Sequence, residues 1–150
     1  MSSIEVRRAT EADIPAILAV NAGEEGPWAE PDSCRAWVLR RLARGFFIQA
    51  AYLDGAPAGH GEWVLSDEPR GKTFYLGQLQ VKKTLQRMGV GRAMMAGGEA
   101  EARRLDCETV TLIPDTETGA DSFYARLGYR RGRTLLRAAG KAEAGVPVQM

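Results

Sequence analysis

The chain has 150 residues, 45% hydrophobic and 26% charged, the size and balance of one globular domain with a sizeable core. With 20 Lys and Arg against 19 Asp and Glu, the formal net charge of +1 excludes a global electrostatic pull toward nucleic acid or a membrane surface. No apolar run nears the roughly 20 residues that cross a bilayer, MSSIEVRRAT lacks the apolar segment of a secretory signal, and Cys34 and Cys107 stand apart with no metal-ligand spacing near either, so a cytoplasmic protein with reduced thiols and no metal is expected.

Ile4 and Val6 alternate with Glu5 and Arg7, the pattern of a short half-buried strand. A helix follows, capped at Thr10 or Asp13, with Ile14, Ile17 and Leu18 as its apolar stripe; Pro15 in the first turn favours the later cap. The segment GEEGPWAEPDS reads as a loop, and Asp32 or Ser33 caps a second helix whose apolar face holds Cys34, Trp37, Val38 and Leu42 and which ends at Gly45. From Phe46 the period changes to that of strands: FFIQAAYL, a turn at Asp54-Gly55, and a second run to about Leu65, with a bend or bulge expected where Gly59 and Gly61 flank His60. The segment SDEPRGK is read as a loop into a third strand, about Thr73 to Lys82, with Tyr75, Leu79 and Val81 on one face and Phe74, Leu76, Gln78 and Gln80 on the other.

The longest helix runs from about Met88 to Leu105, with Val90, Met94, Gly98, Ala102 and Leu105 on one side and Glu99 and Arg103 able to pair outside. Gly97 and Gly98 each cost roughly 1 kcal/mol relative to alanine, a cost consistent with close packing on the sheet. A strand over Thr109 to Ile113, a helix over about Thr118 to Leu127 and a strand from Tyr129 onward complete the pattern, with a further short strand available at Val146 to Met150. Two basic clusters stand out: Lys82, Lys83, Arg87 and Arg92, and Arg126, Arg130, Arg131, Arg133 and Arg137, the second of which is equally a solvated face.

The first basic cluster lies in QLQVKKTLQRMGVGRAMM, where Gln86-x-x-Gly89-x-Gly91 opens the long helix. Glycines there permit a sharp turn and close approach of a ligand to the amides, while the free N–H groups and dipole of the first helical turn, with Arg87 and Arg92, make a phosphate site. The glycines alone also admit a purely structural turn. A dinucleotide fingerprint fits poorly, since Met94 takes the third glycine position, and no Lys-Ser/Thr pair completes a nucleoside triphosphate loop.

The Q-x-x-G-x-G turn after an LQV strand, followed further on by A-x-x-F-Y-x-x-L-G-Y from Ala120 to Tyr129, resembles the GNAT superfamily of N-acetyltransferases. The resemblance implies one domain over residues 1–150: an α/β (α+β) fold with a mixed, mostly antiparallel central sheet and helices on both faces. It implies that the turn Gln86, Arg87, Met88, Gly89, Val90, Gly91 and Arg92 binds the pyrophosphate of acetyl-CoA, the cosubstrate, and that Leu79, Gln80 and Val81 pair their backbone with the pantetheine. The acyl thioester then lies where that strand and Thr109 to Ile113 splay apart. Tyr124 matches the tyrosine that points its hydroxyl at the thioester sulfur; a phenol beside a thiol of pKa about 8.5 is a competent proton donor. Phe123 and Tyr124 also fit as core aromatics of an amphipathic helix. Glu117 stands where the family often has an asparagine contacting the pantetheine, and is counted with the cofactor residues.

Many members of the family carry a glutamate base on the strand matching Thr73 to Val81, where this chain has Gln78 and Gln80. An alkyl amine of pKa near 10.4 is only about one part in a thousand neutral at pH 7, so a proton route is needed. Glu62 and His60, on one face of the preceding strand, are the candidate bases; each also reads as an ordinary strand residue. Glu24, Glu25 and Trp28 are candidates to attract and cover a cationic amine, or form a solvated acidic loop. The expected reaction is direct transfer of an acetyl group to a primary amine of a small molecule or peptide, by a monomer or homodimer, because neither cysteine has a motif-level base beside it. The alternative is a non-catalytic acyl-CoA-binding sensor or interaction module of the same fold.

Overall fold

The computed structural model describes residues 2–24, 26–68, 71–114 and 120–130. In chain order these form β1 (Ile4–Arg8), α1 (Ile14–Val20), α2 (Pro31–Ala43), β2 (Phe47–Leu53), β3 (Ala56–Glu68), β4 (Gly71–Val81), α3 (Val90–Arg104), β5 (Thr109–Leu112) and α4 (Ala120–Arg126). Short 3-10 turns lie at Glu11–Asp13, Pro27–Ala29 and Lys83–Leu85. The strands form one sheet in the order β1-β2-β3-β4-β5. β1 pairs antiparallel with β2, and β2 with β3, whereas β4 and β5 run parallel from Thr73↔Thr109 to Leu76↔Leu112. The sheet is thus mixed and mostly antiparallel. The expected strand from Tyr129 onward, the one at Val146 to Met150, and Arg131, Arg133 and Arg137 lie outside the described residues, except that Tyr129 and Arg130 themselves are not in a strand.

The described residues of 1–64 and 78–98 form one compact unit, and those of 65–77 and 99–130 a second; β3, β4 and α3 each contribute to both. In the first unit the strands' two-residue period sorts side chains onto opposite faces. Ile48 and Ala50 of β2 join Ile14, Ile17, Trp28, Cys34 and Val38 of the α1–α2 region in one buried cluster. Ala51, Leu53 and Ala58 join Val90 and Met94 of α3 in the other, with Ile4, Val6, Leu79 and Val81 packed against it. Both cysteines are buried and free, and burial pushes their thiols up.

The glycines of β3 and α3 set how closely these elements approach. A Cβ on Gly98 would lie 2.1 Å from Trp63 Cζ2, and one on Gly59 2.6 Å from Met94 Sδ. Gln49, buried between β2 and α3, donates to the Met94 carbonyl at 2.8 Å and accepts from Trp63 Nε1 at 2.8 Å. The bulge expected near Gly59 falls one residue earlier: Ala51 pairs with Gly59 and Tyr52 with Pro57, so Ala58 is the extra residue.

Asp13, the later of the two expected caps, stands at the N-cap of α1, and Thr10 caps the 3-10 turn before it: the Thr10 side chain accepts from Ala12 N at 3.3 Å, while Asp13 reaches back to Thr10 N at 2.9 Å. Two boundaries differ from expectation for local reasons. α2 starts at Pro31, before Asp32 and Ser33, because a proline at the first helical position is preset for the helix and has no donor to leave unpaired. The segment read as a loop at SDEPRGK is mostly strand: β3 continues to Glu68 and β4 begins at Gly71, since ladder bonds come from the backbone whatever the polarity of the side chains.

Candidate functional site

β4 continues beyond its pairing with β5 to Val81, and a 3-10 turn then leads into an exposed stretch, Gln86–Gly89, before α3. In that stretch the backbone enters the left-handed region twice. Gln86 is extended (φ −67°, ψ 155°), Arg87 is left-handed at φ 67°, and Gly89 is left-handed at φ 90°. For Arg87 this conformation costs roughly 1–2 kcal/mol, strain of the kind stored where a ligand is held. Gly89 has open space around it, since an added Cβ would meet only Ile4 Cδ1 at 3.5 Å; its φ is what excludes a side chain.

Such a turn is a candidate anion site. Ala93 N donates to the Gly89 carbonyl at 3.0 Å, so the helical bonds begin there and the N–H groups of Val90, Gly91 and Arg92 have no helical acceptor. Changes of backbone handedness make successive N–H groups converge, and the positive end of the 15-residue helix α3 adds to them. Arg87, Met88 and Arg92 are exposed at this turn, while Val90 is buried and anchors the first turn of the helix in the core. Upstream, Leu79 and Val81 pack toward α3, and Gln80 points to the other face, half-buried.

On that other face of the first unit stand His60 and Glu62. His60 is fully buried, and Trp28 lies edge-on to it with ring centroids 4.5 Å apart; Trp28 also meets Trp37 at 5.5 Å. Asn21 Nδ2 donates to the Ile17 carbonyl at 2.9 Å and lies 3.2 Å from His60 Nδ1. A carbonyl only accepts, so this atom of Asn21 is the nitrogen, and His60 Nδ1 accepts from it. The ring proton then sits on Nε2, a buried atom with no partner among the described residues. Burial lowers the His60 pKa to about 4, so the ring is neutral at pH 7, but its one basic lone pair is already occupied.

Glu62 differs. Its carboxylate is buried, with Oε1 3.3 Å from Arg41 Nε, and Arg41 itself lies between the rings of Trp37 and Phe46 at 4.6 and 4.7 Å. Burial raises the Glu62 pKa, opposed by the charge of Arg41 and by the Trp37 N–H directed toward it without reaching hydrogen-bond geometry. Burial makes the Glu62 carboxylate a stronger proton acceptor than an ordinary glutamate, whereas it makes His60 a weaker one. Trp28, the candidate cover for a cationic amine, is buried against Trp37 and His60. Glu24 lies 3.9 Å from Lys83 Nζ, and Glu25 and Glu117 lie outside the described residues.

Tyr124 belongs to the second unit, on α4. It is 9% exposed. Burial pushes its pKa up to about 12, so the group remains a donor through the physiological range. Its ring meets those of Phe123 and Tyr129 edge to face, at 5.0 and 6.1 Å. Sequence reasoning missed four partners: Asn21 for His60, Arg41 for Glu62, Asp13 for Tyr52 at 2.5 Å, and Glu99 for Tyr129. Each joins residues distant in the chain, and no local pattern marks them.

Residues 12–129 match the family model described as "Acetyltransferase (GNAT) family". Comparison with curated sequences gives no match. Among solved structures, a ribosomal-protein-alanine N-acetyltransferase of Brucella melitensis is similar at 21% identity and TM-score 0.67, over 86% of this chain and 86% of that one. The PaiA N-acetyltransferase of Thermoplasma acidophilum, in complex with coenzyme A, is similar at 17% identity and TM-score 0.69, over 87% and 91%. Glucosamine-6-phosphate N-acetyltransferase of Arabidopsis thaliana is similar at 13% identity and TM-score 0.68, over 87% and 94%.

Proposed function

The chain belongs to the acetyltransferase (GNAT) family, and on that premise we propose that it is an acetyl-CoA-dependent N-acetyltransferase acting on a primary amine of a small molecule or peptide. The observation that carries the reading is the turn Gln86–Arg92, with left-handed Arg87 and Gly89 delivering unbonded N–H groups at the start of α3. This is a fitting cradle for the pyrophosphate of coenzyme A, the ligand of the Thermoplasma relative. Leu79, Gln80 and Val81, on the part of β4 beyond its pairing with β5, supply backbone groups for the pantetheine, and Glu117 is assigned to the same arm. Glu24, Glu25 and Trp28 belong to the acceptor side of this reading, Trp28 as a wall of the pocket.

The chemistry is direct transfer. Glu62 takes a proton from the incoming ammonium, the free amine nitrogen attacks the thioester carbonyl, the C–S bond breaks, the Tyr124 hydroxyl passes its proton to the departing sulfur, and the second proton shed by the nitrogen as it becomes an amide restores the phenol. His60 is not assigned as a base in this reading, because its lone pair is held by Asn21 and its other ring nitrogen is buried. A covalent enzyme intermediate is disfavoured: Cys34 and Cys107 are buried with thiols pushed up. No helix among the described residues is long and apolar enough to cross a membrane, and the reading places the enzyme in the cytoplasm as a monomer or homodimer.

The test is incubation of the protein with acetyl-CoA and a panel of primary amines, following thiol release together with the mass of the acetylated amine. Release matched by acetylated product supports the reading. Thiol release from no amine, with acetyl-CoA still bound, favours a non-catalytic acyl-CoA-binding module.

A further inference from the structure

Within the second unit, the Tyr129 hydroxyl donates to Glu99 Oε2 at 2.5 Å, the short distance of a charge-assisted O–H···O bond. Tyr129 follows Gly128, whose φ of 96° reverses the chain at the end of α4. The reversal is tied to Tyr124: both Leu127 N and Tyr129 N donate to the Tyr124 carbonyl, at 3.0 and 3.1 Å. It brings the Tyr129 ring edge to face with the Tyr124 ring, at an interplanar angle of 71°. α4 spans only Ala120–Arg126, too short for its own helical bonds to fix a side chain firmly. Glu99, by contrast, stands inside the 15-residue helix α3.

We propose that Glu99 and Tyr129 are positioning residues for the transfer reaction, anchoring the end of α4 so that the Tyr124 hydroxyl is held in the orientation that meets the sulfur of coenzyme A. The inference rests on the role of Tyr124 given above. Neither residue touches the reacting atoms; both act through the Tyr124 ring and carbonyl. Burial, with the Glu99 carboxylate beside it, holds the Tyr129 hydroxyl protonated well above the ordinary tyrosine range, against the opposing charge of Arg103, so the anchor persists across working pH.

The experiment uses the full chain with CoA bound and reads the pKa of the bound thiol from the ultraviolet absorbance of its thiolate. A hydroxyl donating to the sulfur stabilises the thiolate, so Tyr124→Phe raises that pKa by about one unit. Tyr129→Phe, which keeps the ring and removes the anchor, is expected to produce part of the same shift in the unaltered protein and none in the Tyr124→Phe background. Glu99→Ala behaves like Tyr129→Phe, and serves in its place if that variant does not fold; Glu99→Gln retains an acceptor oxygen and restores most of the native value. Equal shifts in both backgrounds, or no shift from Tyr129→Phe and Glu99→Ala while Tyr124→Phe moves the thiol, overturn the inference alone. No shift from Tyr124→Phe, or no binding of CoA, overturns the role of Tyr124 and the inference with it.

Discussion

Trp63 occupies the space a side chain on Gly98 would need: an added Cβ would stand 2.1 Å from Cζ2 and 2.4 Å from Cη2 of the ring. The indole cannot easily yield, because its Nε1 is bonded to Gln49 Oε1, and Gln49 in turn holds the Met94 carbonyl. Gly98→Ala is therefore expected to destabilise the protein by about 1–3 kcal/mol, although alanine is the better helix former by roughly 1 kcal/mol. Urea unfolding of the two proteins checks it; an alanine variant as stable as the native chain contradicts the packing described.

The acid side of the stability profile has two windows of opposite chemistry. His60, with its pKa lowered to about 4 by burial, binds a proton more readily unfolded than folded, so stability falls as pH drops from about 6.5 toward 4. Asp13 is buried, which raises its pKa, but bonds from Tyr52, Thr10 N and Arg7 outweigh burial and leave it below the ordinary 3.8. Its contribution is present above that value and is lost as pH falls further, through the folded pKa. In Asp13→Asn the loss below pH 3.8 disappears while the loss between 6.5 and 4 remains; His60→Gln gives the reverse. Thermal unfolding across pH separates them.

Much of this architecture was legible in the sequence because it rests on local rules. Alternation at Ile4 and Val6 and at Leu79 and Val81 assigned the strand faces, and Gly89 marked a left-handed turn at a helix start. Long-range pairings were not legible. Nothing near Glu99 announces Tyr129, and nothing near Gln49 announces Trp63 and Met94, since such contacts depend on how elements meet in space. The Ser66–Glu68 end of β3 was hidden for a different reason: its polar residues read as loop, whereas hairpin pairing draws on backbone groups that polar residues also carry.

Glu62→Gln is expected to lower turnover by about a hundredfold or more, the usual worth of a positioned base, with acetyl-CoA affinity unchanged. In the unaltered protein the acidic limb of the pH–rate profile should lie above the ordinary glutamate value of 4.5, as burial of Glu62 requires, and the limb should vanish in the variant. A limb that persists in Glu62→Gln assigns the base elsewhere.

Tyr124→Phe should reduce turnover by about a hundredfold while leaving acetyl-CoA binding intact. Because burial holds the phenol protonated up to about pH 12, Tyr124 contributes no basic limb below that pH. Steady-state rates with acetyl-CoA and an active amine, with affinity measured separately, check both statements.

The most direct test of the central claim is calorimetric titration of the purified protein with acetyl-CoA, alongside CoA and NAD, repeated on Gly89→Glu. That substitution puts a side chain at φ 90° and a negative charge where the pyrophosphate is held. The expected result is binding of acetyl-CoA and CoA but not NAD, abolished in Gly89→Glu while the variant remains folded by circular dichroism. Absence of acetyl-CoA binding by the unaltered protein, or undiminished binding by the folded variant, contradicts the account.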